Sequence, residues 1–111
     1  MLPKERRICL KRDFEHIFSS GRSINGKLFR LKFLKNSLSL NRFAVVVSSK
    51  VSKKAVIRNR VRRRAWATIA AMDSGFKNNL DVVLIALKEA SQADFPMIRS
   101  EISFFINKRL S

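Results

Sequence analysis

Acidic residues are scarce in this chain. Eight Asp and Glu stand against 24 Lys and Arg among 111 positions, for a formal charge of +16. From His16 to Met72 there is no Asp or Glu at all, while the same span carries fourteen Lys and Arg. Residues 73 to 111 carry five of each sign, so one part of the chain holds nearly all the excess. Such sparse carboxylates offer no DxD pair or ExxH spacing to hold a catalytic magnesium or zinc. None of the three glycines stands in a phosphate-cradling array. The single histidine, His16, lies near Glu15 and Asp13 but has no second histidine or cysteine as a metal partner. Cys9 is the only cysteine, which rules out an intrachain disulfide and makes the cytoplasm the default expectation. No run approaches the roughly 20 apolar residues of a membrane span, and the start, MLPKERRICLKRDF, lacks the apolar core of a signal peptide. An active site made by this chain alone therefore has little chemistry to draw on.

What is present is a folding pattern with a basic overlay. A hydrophobic content of 46% is too high for a disordered polycation, and 111 residues suit one domain spanning residues 1–111. Phe14, Ile17 and Phe18 recur at helical spacing over Leu10 to Ser20, and Gly21 follows as a stop. GRSING reads as a loop. KLFRLKFL alternates, with Phe29, Leu31 and Phe33 on one face and Arg30 and Lys32 on the other, which predicts a half-buried strand with a basic outer side. KNSLSLN suits a turn, and RFAVVVSS suits a buried strand, so the two strands are expected to pair as an antiparallel hairpin.

From about Lys53 to Met72 the period becomes helical, with Ile57, Val61, Ala65, Ile69 and Met72 on one stripe. DSGFKNN breaks that helix, and LDVVLIAL, apolar on both faces, predicts an interior strand. Asp94 and Pro96 then start a last helix that buries Ile98, Ile102, Phe105 and Ile106. The expected fold is α+β, in the order helix-strand-strand-helix-strand-helix, with the helices packed on a small mixed sheet.

The stretch IRNRVRRRAW places Arg58, Arg60, Arg62, Arg63 and Arg64 on the long helix with no acid to answer them. Arg60 and Arg64 share a row with Lys53, Arg58 and Arg62 form a second row, and Arg63 points away from the apolar stripe. Like charges at i,i+4 cost roughly 0.2–0.5 kcal/mol per pair, so solvated helix faces usually interleave acids. Arginine also grips phosphate with two parallel donors and stacks on bases. Nucleic acid is thus the favoured partner, ahead of an anionic membrane surface or a merely solvated face. A membrane-lying helix would carry bulky apolar residues on its free side. Phe14 and Phe18 could be core or could form a stacking surface beside the basic strand face. Trp66, at the edge of the apolar stripe, is assigned to packing.

VSSKVSKKAVIRNRVRRRAW resembles the signature of the bacterial ribonuclease P protein subunit. LKRDFEHIFSSGRS is similar to that family's opening helix, and LDVVLIALK to its last strand. The likeness runs in order over about residues 8 to 90. It implies a subunit of the ribonucleoprotein endonuclease that removes the 5′ leader of precursor tRNA, with the chemistry performed by the RNA subunit and its bound Mg2+, and no cofactor held by this chain. It further implies a left-handed crossover between the second and third strands, against the usual right-handed rule. By matching position, Lys50, Lys53, Lys54, Arg58, Asn59, Arg60, Arg62 and Arg63 are implied RNA contacts, with Arg64 added as the extra charge of this helix. Phe14, Phe18, Arg30 and Lys32 are the implied lining of the leader cleft. The family often has an aromatic where Lys32 stands, paired lysines where Ser49 precedes Lys50, and a basic residue where Trp66 stands. The implied partners are the ribonuclease P RNA and precursor tRNA, with no membrane and a monomer in isolation. A ribosomal or other structured-RNA binder would satisfy the charge pattern equally, and a stand-alone nuclease is the third reading.

Overall fold

The structure, a computed structural model, describes residues 2–72 and 79–110. Seven main elements follow in order: α1 (Lys11–Ser20), β1 (Arg22–Asn25), β2 (Phe29–Lys35), β3 (Arg42–Val46), α2 (Ala55–Met72), β4 (Leu80–Ala86) and α3 (Phe95–Phe105). Short 3-10 turns at Lys4–Arg6 and Lys88–Gln92 complete the described chain, with a π-type turn at Ile106–Leu110. The break expected within DSGFKNN lies, except for Asn79, outside the described residues.

The four strands form one mixed sheet in the order β1-β2-β4-β3. β2 runs antiparallel to both β1 and β4, and β3 runs parallel to β4 through the crossover helix α2. Two sequence expectations are corrected here. GRSING contains a strand, β1, paired Arg22 to Phe33 through Asn25 to Arg30. Its outward residues are polar and exposed, which hides the alternation that would mark it. The expected β2–β3 hairpin does not form either, because β4 lies between them.

The reason for that insertion is visible in the polar connection 36–41. Asn36 N–H donates to the Asn79 carbonyl at 2.7 Å and its amide to Asp81 Oδ1 at 2.8 Å. Buried Asn41 accepts from Leu80 N–H at 2.9 Å. The connection thus grips the start of β4 and passes over it, bridging two strand spacings of about 4.8 Å each. β4 is apolar on both faces, and the central position is the one that buries both.

Alternation along β2 sets the two layers. Phe29, Leu31 and Phe33 pack with Phe43, Val82 and Leu84 beneath Val61, Ala65 and Ile69 of α2 and Ile98, Ile102 and Phe105 of α3. On the opposite sheet face a smaller cluster joins Ile17 of α1 to Ile8, Ala44 and Val83, with Phe14, Leu34, Val46 and Ile85 packed against it. Fully burying one of the Val, Leu, Ile or Phe side chains stabilises by about 1.5–3 kcal/mol. Gly21 closes α1 through its N–H to the Ile17 carbonyl at 2.8 Å. A Cβ at Gly21 would collide with the Ile17 and Phe33 carbonyl oxygens, so close approach demands glycine there. The sequence-expected cap of the last helix is present: Asp94 Oδ1 accepts from Met97 N–H at 3.0 Å, with Pro96 in the first turn.

Candidate nucleic-acid interface

α2 lies over one sheet face and α1 over the other, so the two groups of sequence-implied contact residues occupy opposite faces. On the α2 side, Val47 and Val51 anchor the crossover loop in the core and leave Lys50, Lys53 and Lys54 exposed. Ser48 Oγ accepts from Lys50 N–H at 3.3 Å and Ser52 Oγ from Lys54 N–H at 3.2 Å, which turns the loop twice within a few residues. The first turn of α2 contains no acid, so the positive end of the helix dipole adds to these lysines.

The arginines divide by what they touch. Arg58 Nη1 donates to the Ser52 carbonyl at 2.9 Å and ties the lysine loop to the helix. Arg62 Nη1 donates to Asn59 Oδ1 at 2.8 Å, and both remain on the outer side. Arg63 is exposed and has no hydrogen-bond partner among the described residues. Arg60 and Arg64 behave differently. Arg60 Nη2 donates to the Ser91 carbonyl at 3.1 Å, and Arg64 Nη1 to the Ala93 carbonyl at 2.6 Å. The Arg64 guanidinium also sits 5.7 Å from the centre of the Phe95 ring. These two side chains hold the segment before α3 against α2, a role invisible to the helical projection because Ser91 and Ala93 are about thirty residues away. Among the described residues, none of the α2 arginines pairs with a carboxylate; such pairing is found instead at Lys11–Glu15, Arg42–Asp13 and Arg42–Asp81. Trp66 is 9% exposed and packs in the main core, as its place on the stripe implied.

On the other face, Phe14 and Phe18 stack with ring centres 6.4 Å apart and planes at 20°. Their environments differ: Phe14 is half-buried against the smaller cluster, while Phe18 is 42% exposed. Lys32 Nζ donates to the Phe18 carbonyl at 3.1 Å and lies 5.8 Å from its ring centre. Arg30, two residues along the same strand face, donates from Nε to Asn25 Oδ1 at 3.2 Å and is otherwise exposed. An aromatic step and two cations thus lie side by side where α1 packs on β2. Such a surface can stack bases and attract a backbone without reading sequence.

A polar cluster joining α1, β3 and β4 carries no signal in local spacing. Arg42 donates to both oxygens of Asp81 and to Asp13 Oδ2, the last at 3.3 Å. Its guanidinium pKa is raised, first by the hydrogen bonds to Asp81. An Arg at the head of one parallel strand and an Asp at the head of its neighbour was the available signal, but it required knowing that β3 and β4 pair. Among the described residues no group of three or more His, Cys, Asp and Glu could hold a metal ion, and no helix is long and apolar enough to cross a membrane.

Comparison with known proteins agrees with this geometry. The sequence profile of the family described as Ribonuclease P matches residues 2–109. A ribonuclease P protein component of Clostridium botulinum is 34% identical over 106 residues, covering 95% of each chain. That of Syntrophomonas wolfei is 32% identical over 95 residues, covering 86% of this chain and 79% of that one. Among solved structures, the ribonuclease P protein of Thermotoga maritima superposes with a TM-score of 0.84 at 29% identity, over 95% of this chain and 97% of that one.

Proposed function

The chain belongs to the ribonuclease P protein family, and on that premise we propose that it binds the catalytic RNA through α2 and the preceding loop and receives the single-stranded 5′ leader of precursor tRNA on the opposite face. It is a protein component of the endoribonuclease that matures tRNA. The observation that carries the proposal is the α2 side, where Lys50, Lys53, Lys54 and Arg63 are exposed and Arg62 is half-buried beside them, with no carboxylate among the described residues to neutralise them. RNA phosphates supply the missing counter-charge and release counterions when they bind. Arg58 positions the lysine loop, Asn59 orients Arg62, and Arg60 and Arg64 fix α2 against the segment leading to α3. Across the sheet, Phe18 with Lys32 and Arg30 forms a surface for an unpaired strand of any sequence, and Phe14 supports Phe18 from below.

In this reading the bond cleavage belongs to the RNA subunit and its Mg2+. The chain holds no catalytic residue of its own, is a monomer in isolation, and acts in the cytoplasm by concentrating substrate and neutralising phosphate repulsion. The direct test is cleavage of a 5′-labelled precursor tRNA by a bacterial ribonuclease P RNA at low magnesium, with and without the purified chain. Restored cleavage at the mature 5′ end, with the chain inert alone, is the expected result. Binding without any gain in cleavage would overturn the proposal in favour of a structured-RNA binder without a processing role. Cleavage by the chain alone would point to a nuclease.

A further inference from the structure

One concavity on the basic side is not merely a charged surface. Asn59, Arg62, Arg63, Trp66 and Ala67 line a pocket of about 300 Å3. They fall at i, i+3, i+4, i+7 and i+8, so a single face of α2 builds it. Its volume is at the small end of the ~300–1,000 Å3 usual for small-ligand sites. The lining combines two apolar side chains, Trp66 and Ala67, with the cations Arg62 and Arg63 and the amide of Asn59. Asn59 Oδ1 accepts from Arg62, which leaves the Asn59 amide NH2 as a donor without a partner among the described residues.

We propose that this pocket takes one unpaired nucleobase of a bound RNA, with the phosphate of the same nucleotide on Arg62 or Arg63. The inference rests on the reading of α2 as an RNA-binding helix and adds a base site to it. A phosphate alone gains nothing from an indole and a methyl group. A base gains from both, its face can stack on a guanidinium plane, and its carbonyl oxygen or ring nitrogen can accept from Asn59. A protein partner would bring carboxylates to such arginines, but the pocket's small, partly apolar interior fits a flat ring better than an extended acidic side chain.

Trp66 is the chain's only tryptophan and there is no tyrosine, so the emission comes from the one indole that both lines this pocket and packs into the core beneath it. The experiment titrates the full chain with an oligoadenylate and with an abasic ribose-phosphate strand of equal length, following Trp66 emission and, separately, retardation of each strand. Ala67→Leu, at an exposed helical position, fills the pocket without touching the core. The expected result is a change in emission with oligoadenylate alone, an affinity at least about fivefold above the abasic strand, and loss of both differences in Ala67→Leu. If both strands bind equally, or oligoadenylate binds with emission unmoved, the base site is overturned while RNA binding by α2 stands. If neither strand is retarded, both readings fall together. A response to oligoadenylate that survives Ala67→Leu would also overturn the proposal.

Discussion

Arg42 and Asp81 meet across the parallel strands β3 and β4 as a two-pronged pair, with Nε to Oδ1 at 2.9 Å and Nη2 to Oδ2 at 2.7 Å. The two residues are register partners, and the third arm of the guanidinium reaches Asp13 on α1. One side chain therefore joins two strands to the helix that carries Phe14 and Phe18. Asp81 is buried, so removing Arg42 leaves a carboxylate with only the Asn36 amide beside it.

Arg42→Met is expected to cost about 3 kcal/mol, the low end for breaking a buried pair, because Asp81 keeps one donor. Urea unfolding reads this as a lower midpoint at unchanged slope. Arg42→Lys should recover only part of the loss, since a single ammonium cannot span both oxygens and Asp13. Full recovery by lysine would show that charge alone matters.

Glu101 accepts four backbone contacts from the β1–β2 turn. Oε1 takes Lys27 N–H at 2.7 Å and Leu28 N–H at 3.1 Å; Oε2 takes Leu28 N–H at 2.9 Å and Phe29 N–H at 2.7 Å. Gly26 leaves room for it, since a Cβ there would stand 2.6 Å from the carboxyl carbon. Glu101→Gln turns one acceptor into a donor facing donors and should cost about 2 kcal/mol. Hydrogen exchange at Lys27, Leu28 and Phe29 amides should quicken; exchange at wild-type rates would remove Glu101 from the turn.

The arginines of α2 should separate into two classes. Arg63→Ala should leave stability within about 0.5 kcal/mol and lower the salt slope of RNA binding by about one contact. Arg64→Ala should instead cost about 1–2 kcal/mol, through loss of the Ala93 hydrogen bond and the Phe95 contact, with a smaller change in slope. Equal slopes for the two variants would show that Arg64 leaves its carbonyl to bind phosphate.

Phe18→Ala tests the opposite face. At 42% exposure the ring contributes less to the core than the roughly 3–5 kcal/mol of a buried Phe, so a loss of about 1 kcal/mol or less is expected. Affinity for precursor tRNA should fall several-fold, with mature tRNA unaffected. Equal losses on both RNAs would remove Phe18 from the leader surface.

Much of this was legible in one dimension. Strict alternation marks Phe29, Leu31 and Phe33 because the strand period is two and one face is buried, and all three are core residues. Period and capping likewise locate α1, α2 and α3 within a few residues, and Asp94 caps as its type and position suggest. The basic helix was legible because charge needs no partner to be counted. β1 was not, since Arg22, Ser23 and Asn25 are exposed and only Ile24 carries an apolar signal. Strand order was misread because adjacency in sequence favours a hairpin, whereas the asparagines of the 36–41 connection bind the start of a strand about forty residues later.

The sequence by itself determined which residues are apolar at which period, where helices can start and stop, and where the cations run with no acid between them. Those properties depend on residue type and local spacing. Only the tertiary structure decided that α1 and α2 lie on opposite sheet faces, that Arg60 and Arg64 bind carbonyls while Arg63 stays open, and that Arg42 finds Asp81 and Asp13. Each of these depends on a contact between distant segments, and a hydrogen bond is specified by position and direction, which spacing along the chain does not encode.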